Sequence, residues 1–229
     1  MSLQHSPRII TDGLVLCLDA ANKQSYTGSG TVWTDLAGSN NGTLINGPTF
    51  RSANGGSIVF DGTNDYVTLP NNLLVHQTGN PFTFSIWFKT SSTGIILGQT
   101  AGGYVPAIYV GTNGLLYTSC FWGGSVNNQS VSISLVNNNS WNNITVTFQS
   151  YIQISYLNGV SYAVLSKTQT AYSDTYSYFL GTGIGGGWAN FPASPNFNGD
   201  ISYIVHYNRA LTPAEILQNY NATKGRYNL

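Results

Sequence analysis

The stretch Phe82-Thr-Phe-Ser-Ile-Trp-Phe-Lys-Thr90 decides the fold class. Phe82, Phe84, Ile86 and Phe88 alternate with Thr83, Ser85, Trp87 and Lys89, so an extended chain here presents one wholly apolar face and one mixed face. A two-sheet sandwich uses the first face as its core. Outward from this strand the same grammar repeats: short apolar runs broken by Gly, Asn and Pro, as in antiparallel strands joined by tight turns. Strand candidates are Gly13 to Ala20, Ser57 to Phe60, Tyr66 to Leu69, Phe82 to Thr90, Ile95 to Gln99, Pro106 to Val110 and Leu115 to Ser119. Further along come Ser130 to Leu135, Trp141 to Gln149, Ile152 to Leu157, Ser161 to Leu165, Tyr178 to Gly181 and Asp200 to Tyr207. Asn158-Gly159 is the favoured dipeptide of a type I′ hairpin, because both central residues must accept positive φ.

One helix is signalled, near the C-terminus. Leu211 at N′, Thr212 at the N-cap, Pro213 at N1, Glu215 at N3 and Ile216 at N4 combine a capping box with a hydrophobic staple. Gly225, after Lys224, is expected to stop it. Glu215 is the only glutamate of the chain and so takes a structural role. No repeat or long linker divides the chain, which reads as an N-terminal arm (1–12) and one all-β domain (13–229).

The composition excludes several function classes. Of 229 residues, 8 are Lys or Arg and 8 are Asp or Glu, 7% charged where about 25% is usual. Nucleic acid and anionic membranes are excluded as partners, since both are bound through clustered Lys and Arg. No apolar run reaches the roughly 18 to 20 residues that span a bilayer, and Met1 to Arg8 lacks the pattern of a secretory signal. A soluble chain that folds is expected, because 41% of residues are hydrophobic. Polarity resides in neutral groups, with 26 Gly and 25 Asn beside abundant Ser and Thr. Cys17 and Cys120 both sit in apolar, strand-like contexts; spacing does not settle whether they pair, and buried thiols are the simpler reading.

Several strings carry a family resemblance: Gly13-LVLCLDAANKQSY, Trp33-TDLAGSNNGTL, Gly55-GSIVFDGTNDYV, Phe82-TFSIWFKT, Trp141-NNITVTF, Tyr156-LNG and Phe197-NGDISYIVHYNRALTPAEI. Together they resemble a laminin G-like jelly roll of the concanavalin A-like lectin/glucanase superfamily, over roughly residues 10 to 224. The version with LDAAN, SYTGSGTVWTDL and ILQNYNATKGR is similar to domains of bacteriophage virion and tail-associated proteins. The resemblance implies a two-sheet antiparallel jelly-roll sandwich and, in many relatives, calcium or glycan contacts at the loop rim or on the concave sheet. Fold does not fix function, so each property has to be sought in the residues.

Glycoside hydrolysis needs two carboxylates about 5 to 10 Å apart. The seven Asp are dispersed apart from Asp61 and Asp65, so no enzyme is expected. His5, His76 and His206 are isolated and suggest no zinc site. Gly181-Thr-Gly-Ile-Gly-Gly186 matches G-x-G-x-x-G, but Trp188 to Pro192 follows where a dinucleotide site needs a helix. No cofactor is required. Calcium is the candidate metal, with Asp61, Asn64 and Asp65 as hard-oxygen ligands, joined by Asp19 or Asp200 if the fold brings them near. The favoured reading of the same residues is an Asx turn bonding its own backbone.

Sugars stack C–H faces on aromatic rings. Trp33, Trp87 and Trp141 lie in strand contexts and read as packing. Trp122, Trp188 and Tyr104, with the Tyr172 to Tyr178 cluster, lie in Gly- and Asn-rich stretches and are the carbohydrate-contact candidates. The expected function is a non-enzymatic bacteriophage virion protein, decorating a capsid or associated with a tail. Its partners would be other virion proteins, copies of itself and host surface glycans. The alternative is a carbohydrate-binding lectin-like module, calcium-dependent or not.

Overall fold

The computed structural model describes residues 7–70, 73, 80–99, 107–119, 129–166, 177–184 and 188–229. Among the described residues sixteen strands follow one another: β1 Leu14–Asp19, β2 Val32–Trp33, β3 Gly42–Ile45, β4 Thr49–Arg51, β5 Ser57–Asp61, β6 Tyr66–Thr68, β7 Phe82–Lys89 and β8 Gly94–Gln99, then β9 Ala107–Val110, β10 Leu115–Ser119, β11 Ser130–Leu135, β12 Trp141–Gln149, β13 Ile152–Leu157, β14 Val160–Ser166, β15 Tyr178–Leu180 and β16 Asn198–Tyr207. Helix α1 is Pro213–Thr223. The first sheet has the order β14-β13-β12-β7-β16-β5-β4, with β1 also on β16, and the second β11-β10-β9-β8-β15-β6-β3-β2. Every pairing is antiparallel. The expected all-β two-sheet sandwich with one short C-terminal helix is the fold observed.

The apolar face of β7 does what its alternation predicts. Phe82, Phe84, Ile86 and Phe88 are buried between the sheets with Ile144, Val146 and Phe148 of β12 and Leu97, Ile108, Leu116 and Leu180 of the second sheet. The mixed face of β7 is buried too, beneath α1. Trp87 stacks on Tyr227 (centroids 4.1 Å apart) and Tyr220 (5.5 Å), and its Nε1 donates to Thr223 Oγ1 at 2.9 Å. Trp33, Trp87 and Trp141 are packing residues, as expected.

Helix α1 begins as its signals predict: Thr212 accepts from the Glu215 N–H, and the Glu215 carboxylate accepts from the Thr212 N–H at 2.8 Å. Leu211 and Ile216 are both buried in the apolar layer under the helix. Glu215 also receives both arms of Arg209, at 3.0 and 2.7 Å. The end differs from expectation. Gly225 does not stop the helix but lies inside a 3₁₀ turn, Lys224–Tyr227, and Asn228 takes the left-handed conformation beyond it (φ 60°). The Asn158-Gly159 turn has φ of 53° and 80°, as a type I′ hairpin requires.

Of the expected arm, residues 7–12 are described, and they lie against the domain rather than projecting. Ile10 N–H donates to Asn219 Oδ1 at 2.8 Å, and Tyr207 Oη donates to the Ile10 carbonyl at 2.9 Å. Cys17 is a free thiol, pushed up to about 12 by burial, 3.9 Å from Tyr203 Oη; Cys120 lies outside the described residues.

The Arg209 pair holds the Glu215 carboxyl down at about 2 from its ordinary 4.5. A folded pKa below the unfolded one adds stability above the unfolded value, which is lost as pH falls through the folded one. Thermal stability of the wild type is therefore expected to fall as pH drops from 4.5 to about 2, and Glu215→Gln to flatten that part of the curve. A Tm–pH slope unchanged in the variant would contradict this.

Candidate functional site

The outer face of the second sheet carries an aromatic cluster built by strand pairing. Tyr117 of β10 is the register partner of Tyr109 of β9, so both rings rise from the same side, 5.0 Å apart and 4° from parallel. The segment after β15 folds back over them. Trp188 stacks on Tyr109 at 5.9 Å, and Phe191 meets it edge-on at 5.1 Å. The Tyr109 hydroxyl donates to the Ala189 carbonyl at 2.7 Å, and burial raises its pKa. Tyr117 Oη accepts from Asn190 Nδ2 at 2.7 Å and Asn113 Nδ2 at 2.9 Å. Thr112, Asn113 and Asn190 are exposed and form a rim of neutral donors and acceptors over the stack.

This placement corrects the expectation for Trp188. Only 7% of it is exposed, because its glycine-flanked segment lays the indole on the sheet instead of offering it to solvent. Tyr178, from the other aromatic cluster, is wholly buried between the sheets. Tyr104, Trp122, Tyr172 and Tyr176 lie outside the described residues. Asn113 and Asn190 were not singled out in the sequence, where Asn is everywhere. The usable signal is that Asn190 has φ of 47°, a left-handed residue fixing the turn after Trp188.

Asp61, Asn64 and Asp65 share one turn at the end of β5. Asp61 Oδ1 accepts from the Thr63 N–H at 2.7 Å and from the Asn64 N–H at 3.4 Å, while Asp65 Oδ2 accepts from the Asp61 N–H at 3.1 Å. The amides, that of Thr63 first, hold the Asp61 carboxyl below its usual range, and burial raises that of Asp65. This is the geometry of an Asx turn. Asp19 and Asp200 do not join it. Asp19 pairs with Arg226 at 2.8 Å, and Asp200 with Arg51 at 3.0 Å and Ser57 Oγ at 2.7 Å. Among the described residues no three His, Cys, Asp or Glu side chains gather as a metal set.

The remaining described carboxylates are engaged as well. Asp35 accepts from the N–H groups of Cys17, Ala37 and Asn40, and Asp12 and Glu215 pair with Arg209. Of the glycine run, Gly181 to Ile184 are described and serve strand contact rather than phosphate: Gly181 N–H donates to Ile96 and Ile184 N–H to Gln99, both on β8. His206 is buried, its ring 4.7 Å from that of Phe84. Asn143, which with Ile144 and Thr145 makes an N-x-T glycosylation sequon, is buried and bonded to Ser85, closed to modification in the folded chain.

Two antiparallel sheets packed face to face, one covered by a C-terminal helix, make this a lectin-like jelly-roll sandwich. The chain belongs to the concanavalin A-like lectin/glucanases superfamily, whose family model matches residues 61–217. No curated protein matches the sequence. Among solved structures, the binding domain of Paraclostridial Mosquitocidal Protein 1 superposes with a TM-score of 0.71 at 16% identity, over 93% of this chain and 52% of that one. Domain 4 of AbnA, a GH43 extracellular arabinanase from Geobacillus stearothermophilus, in complex with arabinotriose, gives 0.65 at 18% identity, over 90% and 98%. A Trypanosoma rangeli sialidase gives 0.63 at 16%, over 95% and 35%. The chain thus spans about half of the toxin structure and a third of the sialidase, and these likenesses establish the fold.

Proposed function

We propose that this chain is a non-catalytic, glycan-recognising lectin-like module. The observation that carries the reading is the exposed rim of Thr112, Asn113 and Asn190 over the Tyr109–Tyr117 stack: neutral amides and a hydroxyl on a rigid aromatic base, the chemistry that sugar hydroxyls require. The engagement of the described carboxylates in ion pairs and turns supports binding over hydrolysis. The arabinotriose named with the arabinanase domain makes neutral oligosaccharides the first probes. Array binding of a neutral glycan is expected to weaken about tenfold in Asn190→Gly, which keeps the positive φ but removes an amide. Binding to no neutral glycan would refute the reading. Calcium has no part in it, so a chelator is expected to leave binding unchanged.

A bacteriophage particle is the setting implied by the LDAAN, SYTGSGTVWTDL and ILQNYNATKGR strings, with the module displayed in several copies beside other virion proteins as decoration or for attachment to host glycans. Mass spectrometry of purified particles tests this, and absence of the chain from them would defeat it.

A further inference from the structure

The two sheets differ in charge. Strands of the first carry Asp19, Arg51, Asp61, Lys89 and Asp200, whereas those of the second carry no Asp, Glu, Lys or Arg. Between Lys89 and Asp200 the sequence has only Lys167 and Asp174, both outside the described residues. Strand β11 ends the second sheet and lies beside β14, which ends the first. Edge strands are commonly defended against a further partner by charge or proline, and neither β11 nor β14 has either.

Strand β11 is also bulged. Leu135 faces Leu115 and Val131 faces Tyr117, so a longer stretch of β11 is set against a shorter one of β10. Ser132 anchors the excess: its Oγ accepts from the Leu116 N–H at 2.9 Å and donates to the Ser134 carbonyl at 2.8 Å. A bulge re-aims the side chain it carries. Here Ile133 stands 89% exposed, flanked by Leu135 at 57% and Val131 at 37%. Beside this projection is a recess, a cleft of about 190 Å³ between the bulge and the β13–β14 hairpin, lined chiefly by Ile133, Leu157, Val160 and Tyr162 and by no charged group. Cavities of roughly 150 Å³ accept a benzene-sized molecule, so the cleft has room for one aliphatic side chain.

We infer that this edge joins two copies of the chain across a two-fold axis, each Ile133 seated in the partner's cleft against Leu157 and Val160. A patch that holds both an apolar projection and an apolar recess is complementary to itself under a two-fold, the commonest symmetry of soluble oligomers. The formal net charge of zero and the uncharged contact remove the like-charge repulsion that opposes self-association. A partner recognised through charge finds nothing here to pair with. The inference does not rest on glycan binding.

Sedimentation velocity of the full chain from about 1 µM to about 300 µM is the test. The wild type is expected to pass from monomer to dimer within that range. Ile133→Lys, at a side chain already in solvent, is expected to keep Tm within a few degrees but to weaken dimerisation about tenfold or more, by burying a charge in each partner's cleft. Leu217→Lys, exposed on α1, is the control and is expected to dimerise as the wild type does. The seating is read separately. Chains carrying Ile133→Cys, mixed with chains carrying Val160→Cys and oxidised with diamide, are expected to form a covalent heterodimer that neither forms with the wild type. A chain monomeric throughout would leave the edge to a different protein and overturn the inference, as would a dimer unaffected by Ile133→Lys or the absence of that cross-link.

Discussion

Trp87→Ala is expected to cost about 3–5 kcal/mol and to loosen the C-terminal helix from the first sheet. Trp87 sits mid-strand on β7 and is 99% buried, though it faces away from the core between the sheets. Its indole is the floor on which Tyr220 and Tyr227 stack, and it donates to Thr223, so truncation opens a cavity and removes a buried hydrogen bond together. For a domain of this size about 1 kcal/mol moves Tm by roughly 2–4 °C, so a fall of about 6–20 °C is expected in calorimetry. Limited trypsin digestion should show faster cleavage at Lys224 and Arg226. Trp87→Phe, which keeps a ring but loses the hydrogen bond, is expected to fall between. A Tm within a few degrees of wild type for the alanine variant would mean that the helix contributes little to the fold.

Gly181→Ala is the second large effect, about 3 kcal/mol or more. Gly181 holds φ of 87°, where an L side chain is strained, and an added Cβ would stand 2.5 Å from the Phe60 ring. Phe60 has no room to retreat, being wholly buried and edge-on to Phe197 at 6.1 Å. The Gly181 N–H donates to Ile96 while its carbonyl accepts from Phe197, so strain there reaches both segments it ties. Gly225→Ala is the control: nothing lies within 4 Å of its added methyl, and a change within about 0.5 kcal/mol is expected. Equal denaturation midpoints for the two variants would contradict this account.

Much of the sandwich was legible because its strands carry side-chain patterns long enough to read. The alternation of Phe82 to Lys89 named the core face, and five residues around Thr212 named the helix start. The strands β2, β3 and β4 were not, since at two to four residues each they hold no readable period amid Asn and Gly. At the candidate site the difficulty was different. Glycine flanks suggest an exposed Trp188, and only the strand register, which sets Tyr109 beside Tyr117, shows the apolar surface that draws the indole down.

Strand β11 misleads most. Val131-Ser-Ile-Ser-Leu135 invites an apolar-in reading, yet Ser130 and Ser132 point inward while Ile133 is 89% exposed. The reason stands across the sandwich. Gln153 Nε2 donates to Ser130 Oγ at 3.0 Å and Ser155 Oγ at 3.2 Å, and Thr118 and Ser155 share a hydrogen bond of 2.8 Å, which together form a buried polar layer between the sheets. A strand shifted by one residue turns every side chain to the other face. Here such a slip would drive Val131 and Ile133 toward the amide of Gln153 and take the Ser130 hydroxyl away from Gln153 and Ser155. The serines thus work as the wards of a lock. They add little to holding β11 in place, but they leave the wrong alignment nowhere to close.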